Sequence, residues 1–405
     1  MNTAKTKYLP VLLITAIIGT IIELDMSVPS FPDIASDLKA SESLVQLTIT
    51  YNFLGYFLGA LVYGPLSDRF GRRGVMLVGN SIMLLGALGC AVAPSIEFLL
   101  ASRFVQGVGA STSVVLVFVI ISDVYRGGQL FKMLGLTNAA MSILMTAAPA
   151  LGGVINQTVG WRGNYAVVFA VTLIGLAFMA AFLPETKDEL TKVTPKQVAV
   201  DYRRLLSNKE FVATSLVPSL LFAGYMVFIA ASSFLYTETF DLSVVAFAAH
   251  LLVIVASFAV TSMFSAKLVT LLGGPQRTVF CGMTVLTVGI SLFLAFGDGP
   301  VATTGTIVMF CVGFAAVYPV IFGRSMGVIP QLQGAAGSLN MGVRALLVTV
   351  FTGAASSLFT GDPVVTAGVM AVAVVVSVLL VLVTPKQVQP ETEAEPEPVA
   401  EKEQA

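Results

Sequence analysis

Twelve apolar stretches, each long enough to cross a lipid bilayer, follow one another along the chain. They fall near residues 8–28, 44–66, 74–93, 97–121, 131–155, 163–183, 211–236, 243–268, 276–297, 301–323, 333–359 and 364–384. A hydrocarbon core about 30 Å thick takes about 20 residues per helical crossing, so twelve crossings take about 240 residues. In hydrocarbon a backbone must satisfy its own N–H and C=O groups, which leaves helices and closed barrels. These runs lack the two-residue alternation of barrel strands and therefore predict helices. Only 11% of the 405 residues are charged, against about a quarter in an average soluble domain. The residues left over suffice for short loops and one longer connection, not for a soluble catalytic domain. The first run ends in Glu23-Leu24-Asp25 rather than in a small-residue cleavage site, so it reads as a retained span.

The charges orient the chain. If residue 1 lies in the cytoplasm, the loops on that side hold 18 of the 22 basic residues, and the opposite loops hold only Lys39 and Arg162. This bias predicts cytoplasmic termini and an even span count. The domain reading is a six-helix bundle over 1–183, a cytoplasmic loop over 184–210, a second bundle over 211–384 and a disordered, acidic cytoplasmic tail over 385–405. A net charge of −1 offers no basic face for nucleic acid. Cys90, Cys281 and Cys311 lie inside apolar runs and read as small buried hydrophobes. No metal spacing, phosphate loop or Ser–His arrangement is present, so the chain reads as no enzyme, with no metal and no cofactor.

Several segments carry a family resemblance. The second span runs into Gly64-Pro65-Leu66-Ser67-Asp68-Arg69-Phe70-Gly71-Arg72-Arg73, and the eighth runs into a degenerate echo, Ser265 to Gly274. The first of these resembles the signature loop of the major facilitator superfamily. Gly64 and Gly71 suit close helix approach and a tight turn, while Arg69, Arg72 and Arg73 hold the turn in the cytoplasm. The resemblance implies that Asp68 pairs with a helix end and a basic partner to lock an outward-facing state. Arg103-Phe104-Val105-Gln106-Gly107 is similar to the family's second motif, whose intramembrane Arg takes part in proton coupling. Pro149, Gly152 and Gly153 resemble the antiporter motif, although Leu144 and Ala148 replace its first two glycines. The stretch from Leu24 to Ile34 resembles the end of the first span in twelve-span drug:proton antiporters of the Bcr/CflA type. There, an acid at the position of Asp25 serves in proton and substrate binding.

Four strongly charged residues lie inside the proposed spans: Glu23, Asp25, Arg103 and Arg344. An intramembrane ionisable group is costly and is a functional candidate by default. Desolvation and a nearby guanidinium act in opposite directions on a carboxyl, so a moving Arg can switch its proton affinity. Asp25 with Arg103 is the expected pair. Glu23 sits about 200° further round the helix, so the two acids are not expected to share one cavity. Arg344, one turn after Asn340, suits a carboxylate or phosphate. Asn52, Gln106, Asn138, Met141, Tyr225, Tyr318, Asn340 and Arg344 are the expected lining of a substrate cavity, and His250 reads as a packing residue.

The expected protein is thus all-α, with twelve transmembrane helices in two pseudo-symmetric six-helix bundles, a monomer in a bacterial inner membrane. Its partners are protons, a small molecule and the bilayer. The expected activity is proton-coupled efflux of small amphiphilic molecules by alternating access. The alternatives are a dedicated carrier of one anionic metabolite such as a siderophore, and a transporter-like sensor.

Overall fold

A computed structural model describes residues 8–125, 127–187 and 194–383. Every regular element among them is helical. The spans are α1 (Leu9–Asp25), α3 (Glu42–Phe70), α4 (Arg72–Ala91), α5 (Ile96–Val124), α6 (Gly127–Val159), α7 (Trp161–Phe182), α9 (Lys209–Phe234), α10 (Val244–Met263), α12 (Pro275–Phe296), α13 (Pro300–Gly327), α14 (Gln333–Leu358) and α15 (Pro363–Val383). Shorter helices, α2 (Phe31–Asp37), α8 (Pro195–Leu206) and α11 (Ser265–Leu271), lie between them, and a π turn, Leu235–Thr239, extends α9. Eleven of the described helices meet a length and hydropathy standard for crossing a membrane. The twelfth span is α6, by position and by its 33 residues.

Helix ends follow local chemistry. Ser41 and Ser95 accept hydrogen bonds from Leu44 N and Phe98 N, capping α3 and α5. Asn208 and Ser243 do the same for α9 and α10. Gly71, Gly160 and Gly274 take positive φ at the hinges into α4, α7 and α12. The echo at the eighth span is a short helix, α11, followed by Gly273 and Gly274, both at positive φ.

The helix pairings repeat after six spans. In the first half α1 packs on α5, α6 and α7, α4 packs on α5 and α7, and α3 packs on α5. In the second half α9 packs on α13, α14 and α15, α12 packs on α13 and α15, and α10 packs on α13. The most extensive contacts between the halves are α3 with α14 and α6 with α10, and the repeat relates one to the other. This is the parallel-repeat construction of a two-bundle transporter, two six-span halves related by an axis along the membrane normal.

The first seam is packed along much of its length. Towards the side opposite the basic loops, Thr50 and Thr352 share a hydrogen bond of 2.8 Å, and Ser356 donates to Ser43 O. Towards the basic side, a Cβ on Gly64 would lie 2.4 Å from Ser338 Oγ, which fixes a small residue there.

Two expectations need correction. The 184–210 connection is not simply a loop, because α8 forms behind the cap Thr194 and Pro195, and Tyr202 in it donates to Leu61 O of α3. Cys281 is exposed on the surface of α12, unlike Cys90 and Cys311. The acidic tail from 385 onwards and residues 188–193 lie outside the described residues.

Candidate functional site

The site begins with a crossing of two helices that touch backbone to backbone. A Cβ on Gly107 of α5 would fall 1.9 Å from Asn52 O of α3, so only glycine permits this approach. The contact brings Asn52 beside Arg103, one turn before Gly107 on the same face. Arg103 is 0% exposed. Its Nη1 donates to Gln106 Oε1 at 2.7 Å and reaches Glu23 Oε2 at 3.5 Å. Asn52 Nδ2 faces both Glu23 oxygens and Arg103 O, each at 3.4 Å. The Tyr165 ring lies 5.7 Å from the guanidinium carbon, and Cys90 Sγ contacts Gln106 Oε1 at 3.6 Å.

Arg103 therefore faces Glu23, and the expected pairing with Asp25 is corrected. The helical turn of about 100° per residue separates the two acids, and α1 is rotated so that Glu23 points into its own half. Asp25, also buried, lies on a different face of α1 from Glu23. One Asp25 oxygen, Oδ1, is buried without a hydrogen-bond partner. Glu23 is held only by contacts of 3.4–3.5 Å, at the weak limit of hydrogen bonding. The stronger bond from Arg103 goes to a neutral amide.

The loop motif forms a compact charged cluster. Arg72, 5% exposed, donates through Nε to Asp123 at 2.9 Å and through Nη1 to Ser67 Oγ at 2.5 Å, and pairs with Asp68 at 2.9 Å. Asp68 also binds Lys187 at 2.6 Å. Glu185 accepts from the backbone N–H groups of Arg72 and Arg73 at 2.8 and 3.2 Å, capping α4. Arg73 donates to Ala180 O, and Arg69 lies over the Phe70 ring. Glu185 and Asp123 were missing from the sequence reading. The acid standing at the exit of the sixth span was the available signal for Glu185.

On α6 the motif glycines are pressed against two neighbours. A Cβ on Gly152 would meet Met26 O at 2.1 Å, and one on Gly153 would meet the Ala248 side chain of α10 at 3.2 Å. Pro149 lies inside the same helix. Gly153 thus stands at the second seam between the halves.

The expected cavity lining divides. Asn52 and Gln106 are 0% exposed and belong to the Arg103 cluster, so they do not line an open cavity. Asn340, 2% exposed, accepts from Ser215 and donates to Ser325 at 3.0 Å, tying α14 to α9 and α13. Buried amides in a tightly packed bundle find partners there before they find a ligand. Met141 packs with the first half, and Tyr225 is buried near Asp25. The side chain of Asn138 lies outside the described residues. Arg344 and Tyr318 are partly exposed and bonded to each other. The Nδ1 of His250 is 2.8 Å from Thr304 Oγ1, and its ring packs on Tyr236.

The model of the Major Facilitator Superfamily matches residues 13–352. The chain belongs to this superfamily. Among curated major facilitator proteins it is similar to the bicyclomycin resistance protein homolog of Haemophilus influenzae, with 28% identity over 86% of this chain and 91% of that one. It is also similar to the multidrug resistance protein MdtL of Klebsiella pneumoniae, at 28% identity over 78% of this chain and 80% of that one. An uncharacterized major facilitator transporter of Bacillus subtilis, YdgK, is 33% identical over 56% of this chain, a match that spans only 58% of YdgK. Among solved structures, the partially occluded, inward-open xylose transporter XylE of E. coli superposes with a TM-score of 0.72 at 13% identity, covering 94% of this chain and all of that one. The human organic anion transporter MFSD10 gives 0.68 at 18% identity, covering 93% of this chain and 99% of that one. At these identities the structural likeness establishes the fold. The protein is a multi-pass membrane transporter of this superfamily.

Proposed function

We propose that the protein expels small amphiphilic molecules in exchange for protons, by alternating access, as a monomer in a bacterial inner membrane with both termini in the cytoplasm. The observation that carries this reading is the buried Glu23–Arg103 pair, bridged by Asn52, with a second buried acid, Asp25, two residues away on the same helix. Two buried carboxyls on one helix give the chain groups able to take up a proton, and the loosely held Glu23 can exchange its hold on Arg103 for one. Asp25 stands where motion of the halves changes its surroundings. The basic bias of the loops supports the orientation, and the names of the resistance-protein relatives support efflux. Each proton crossing 100 mV supplies about 2.3 kcal/mol, which is about fifty-fold accumulation.

In this reading the pairs α3–α14 and α6–α10 are the hinging seams. The Asp68–Arg72–Lys187 cluster with Gly64 against Ser338 closes the basic side, and the Thr50–Thr352 bond closes the other. The test is transport in proteoliposomes under an imposed pH gradient. Substrate moves one way and protons the other if the reading holds, and no coupled movement of any compound in a broad efflux panel ends it. A second reading, a dedicated carrier of one anionic metabolite, is favoured by Arg344. Arg344→Ala then removes transport of anions alone.

A further inference from the structure

Among the arginines of the described helices that are not exposed, Arg344 differs from the rest. Arg72 has Asp68 and Asp123, Arg103 has Glu23, Arg162 has Asp37, and Arg324 has Glu210. Arg344 has no carboxylate within ion-pair distance among the described residues. Its guanidinium carbon lies instead 5.1 Å from the Phe222 ring, 5.0 Å from Tyr318 and 5.9 Å from Phe322. Nη2 donates to the Tyr318 hydroxyl, and Nε is buried with no hydrogen-bond partner. Three helices make this arrangement, with Phe222 on α9, Tyr318 and Phe322 on α13 and Arg344 on α14.

We propose that Arg344 and these rings form the binding subsite for an ionised carboxylate joined to a planar aromatic group, so that the transported class is aromatic acids rather than lipophilic cations. This rests on the transport reading above and names its substrate.

A guanidinium set among apolar groups is costly unless an opposite charge accompanies it. Ring faces and a neutral phenol attract the cation but leave its charge uncompensated. The rings also fix its plane, which pre-organises the planar donor fork for two parallel bonds to a carboxylate. The partial exposure of Arg344 gives the site an approach.

The surroundings specify the rest of the molecule. Phe222 stands edge-on to Phe53 of α3 at 6.1 Å, and Phe53 lies 6.0 Å from Tyr56. An aromatic wall therefore leads from the cation across to the other half, where planar rings stack and slide without strict register.

The test is equilibrium binding to the full chain in lipid nanodiscs, without a gradient. The probes are dansylglycine, its methyl ester and tetraphenylphosphonium. The wild type is expected to bind the acid about tenfold to a hundredfold more tightly than the ester, as a charge-assisted pair gives. Arg344→Gln should remove that preference while leaving ester binding within about twofold, because a neutral amide keeps the packing but not the charge. Arg344→Lys should fall between them, since a point charge lacks the fork. Phe222→Leu should weaken acid and ester together. Equal wild-type affinity for acid and ester, no saturable acid binding, or undiminished acid binding in Arg344→Gln overturns the proposal. Should Arg344→Gln fail to assemble, the wild-type comparison of acid with ester and the Lys variant decide it. Acid binding without gradient-driven movement defeats the export reading and keeps the subsite. Proton-driven export of tetraphenylphosphonium by a protein indifferent to the acid does the reverse.

Discussion

Glu23 and Arg103 meet at 3.5 Å with side chains that are 1% and 0% exposed. Removing one partner leaves a buried charge alone, which costs about 3–5 kcal/mol, whereas replacing both with neutral groups of similar shape is far milder. Arg103→Met should therefore lower the unfolding temperature in detergent well below that of the double variant Glu23→Gln/Arg103→Met. Both variants should lose gradient-driven transport. A single variant as stable as the double one would mean that the pair is not coupled.

Asp25→Asn separates shape from titration. The amide occupies the same volume as the buried carboxyl, so the fold should be retained. A group that no longer binds and releases a proton cannot pass on the gradient, so accumulation driven by pH should fall to background while substrate exchange down its own gradient persists. Transport assays with and without an imposed gradient read the difference. Full gradient-driven activity would remove Asp25 from the mechanism.

The Thr50–Thr352 bond across the first seam gives a cycle. Each hydroxyl is buried, at 8% and 1% exposure, and the two share a 2.8 Å contact. The Thr352 hydroxyl also donates to Val348 O at 2.7 Å. Thr352→Val, which strips the Thr50 hydroxyl of this partner, should therefore cost about 1–3 kcal/mol, Thr50→Val less, and changing both together little more than the larger single change. Because the bond lies towards the side opposite the basic loops, either single change should also raise cysteine accessibility to a reporter at Ser43. Labelling rates measure that opening.

Much of the fold was legible because a membrane leaves so few choices. The apolar runs set the spans, and Gly71 and Gly274 stand at the hinges they mark. The site was legible only in part. The spacing of Glu23 and Asp25 gave their relative angle but not the absolute rotation of α1, which depends on tertiary packing such as that of Met26 against Gly152. The same limit assigned Asn52, Gln106 and Asn340 to a cavity, since a sequence shows that an amide needs a partner without showing which one is near. The helix α8 was readable in principle. Thr194-Pro195 is a start signal, and Val198, Tyr202 and Leu205 recur at helical spacing, but the polar residues around them hid it in a loop.

The turn between α3 and α4 allows two independent changes. Gly71 has φ +89°, a conformation that costs a residue with a Cβ about 1–3 kcal/mol. A Cβ there would also stand 2.4 Å from Glu185 Oε2, though that carboxylate is the far end of a flexible side chain and can move aside. Gly71→Ala should thus destabilise through the backbone. Glu185→Gln leaves the backbone alone and removes the negative charge at the first N–H groups of α4, a loss of about 0.3–1 kcal/mol at an exposed helix end. The two changes therefore differ in size and in salt response. Only the Glu185 effect should shrink as ionic strength rises, because an exposed charge is screened and a strained dihedral is not. Thermal unfolding in detergent at low and high salt measures both, and equal salt dependence would show that the carboxylate acts through packing instead of charge.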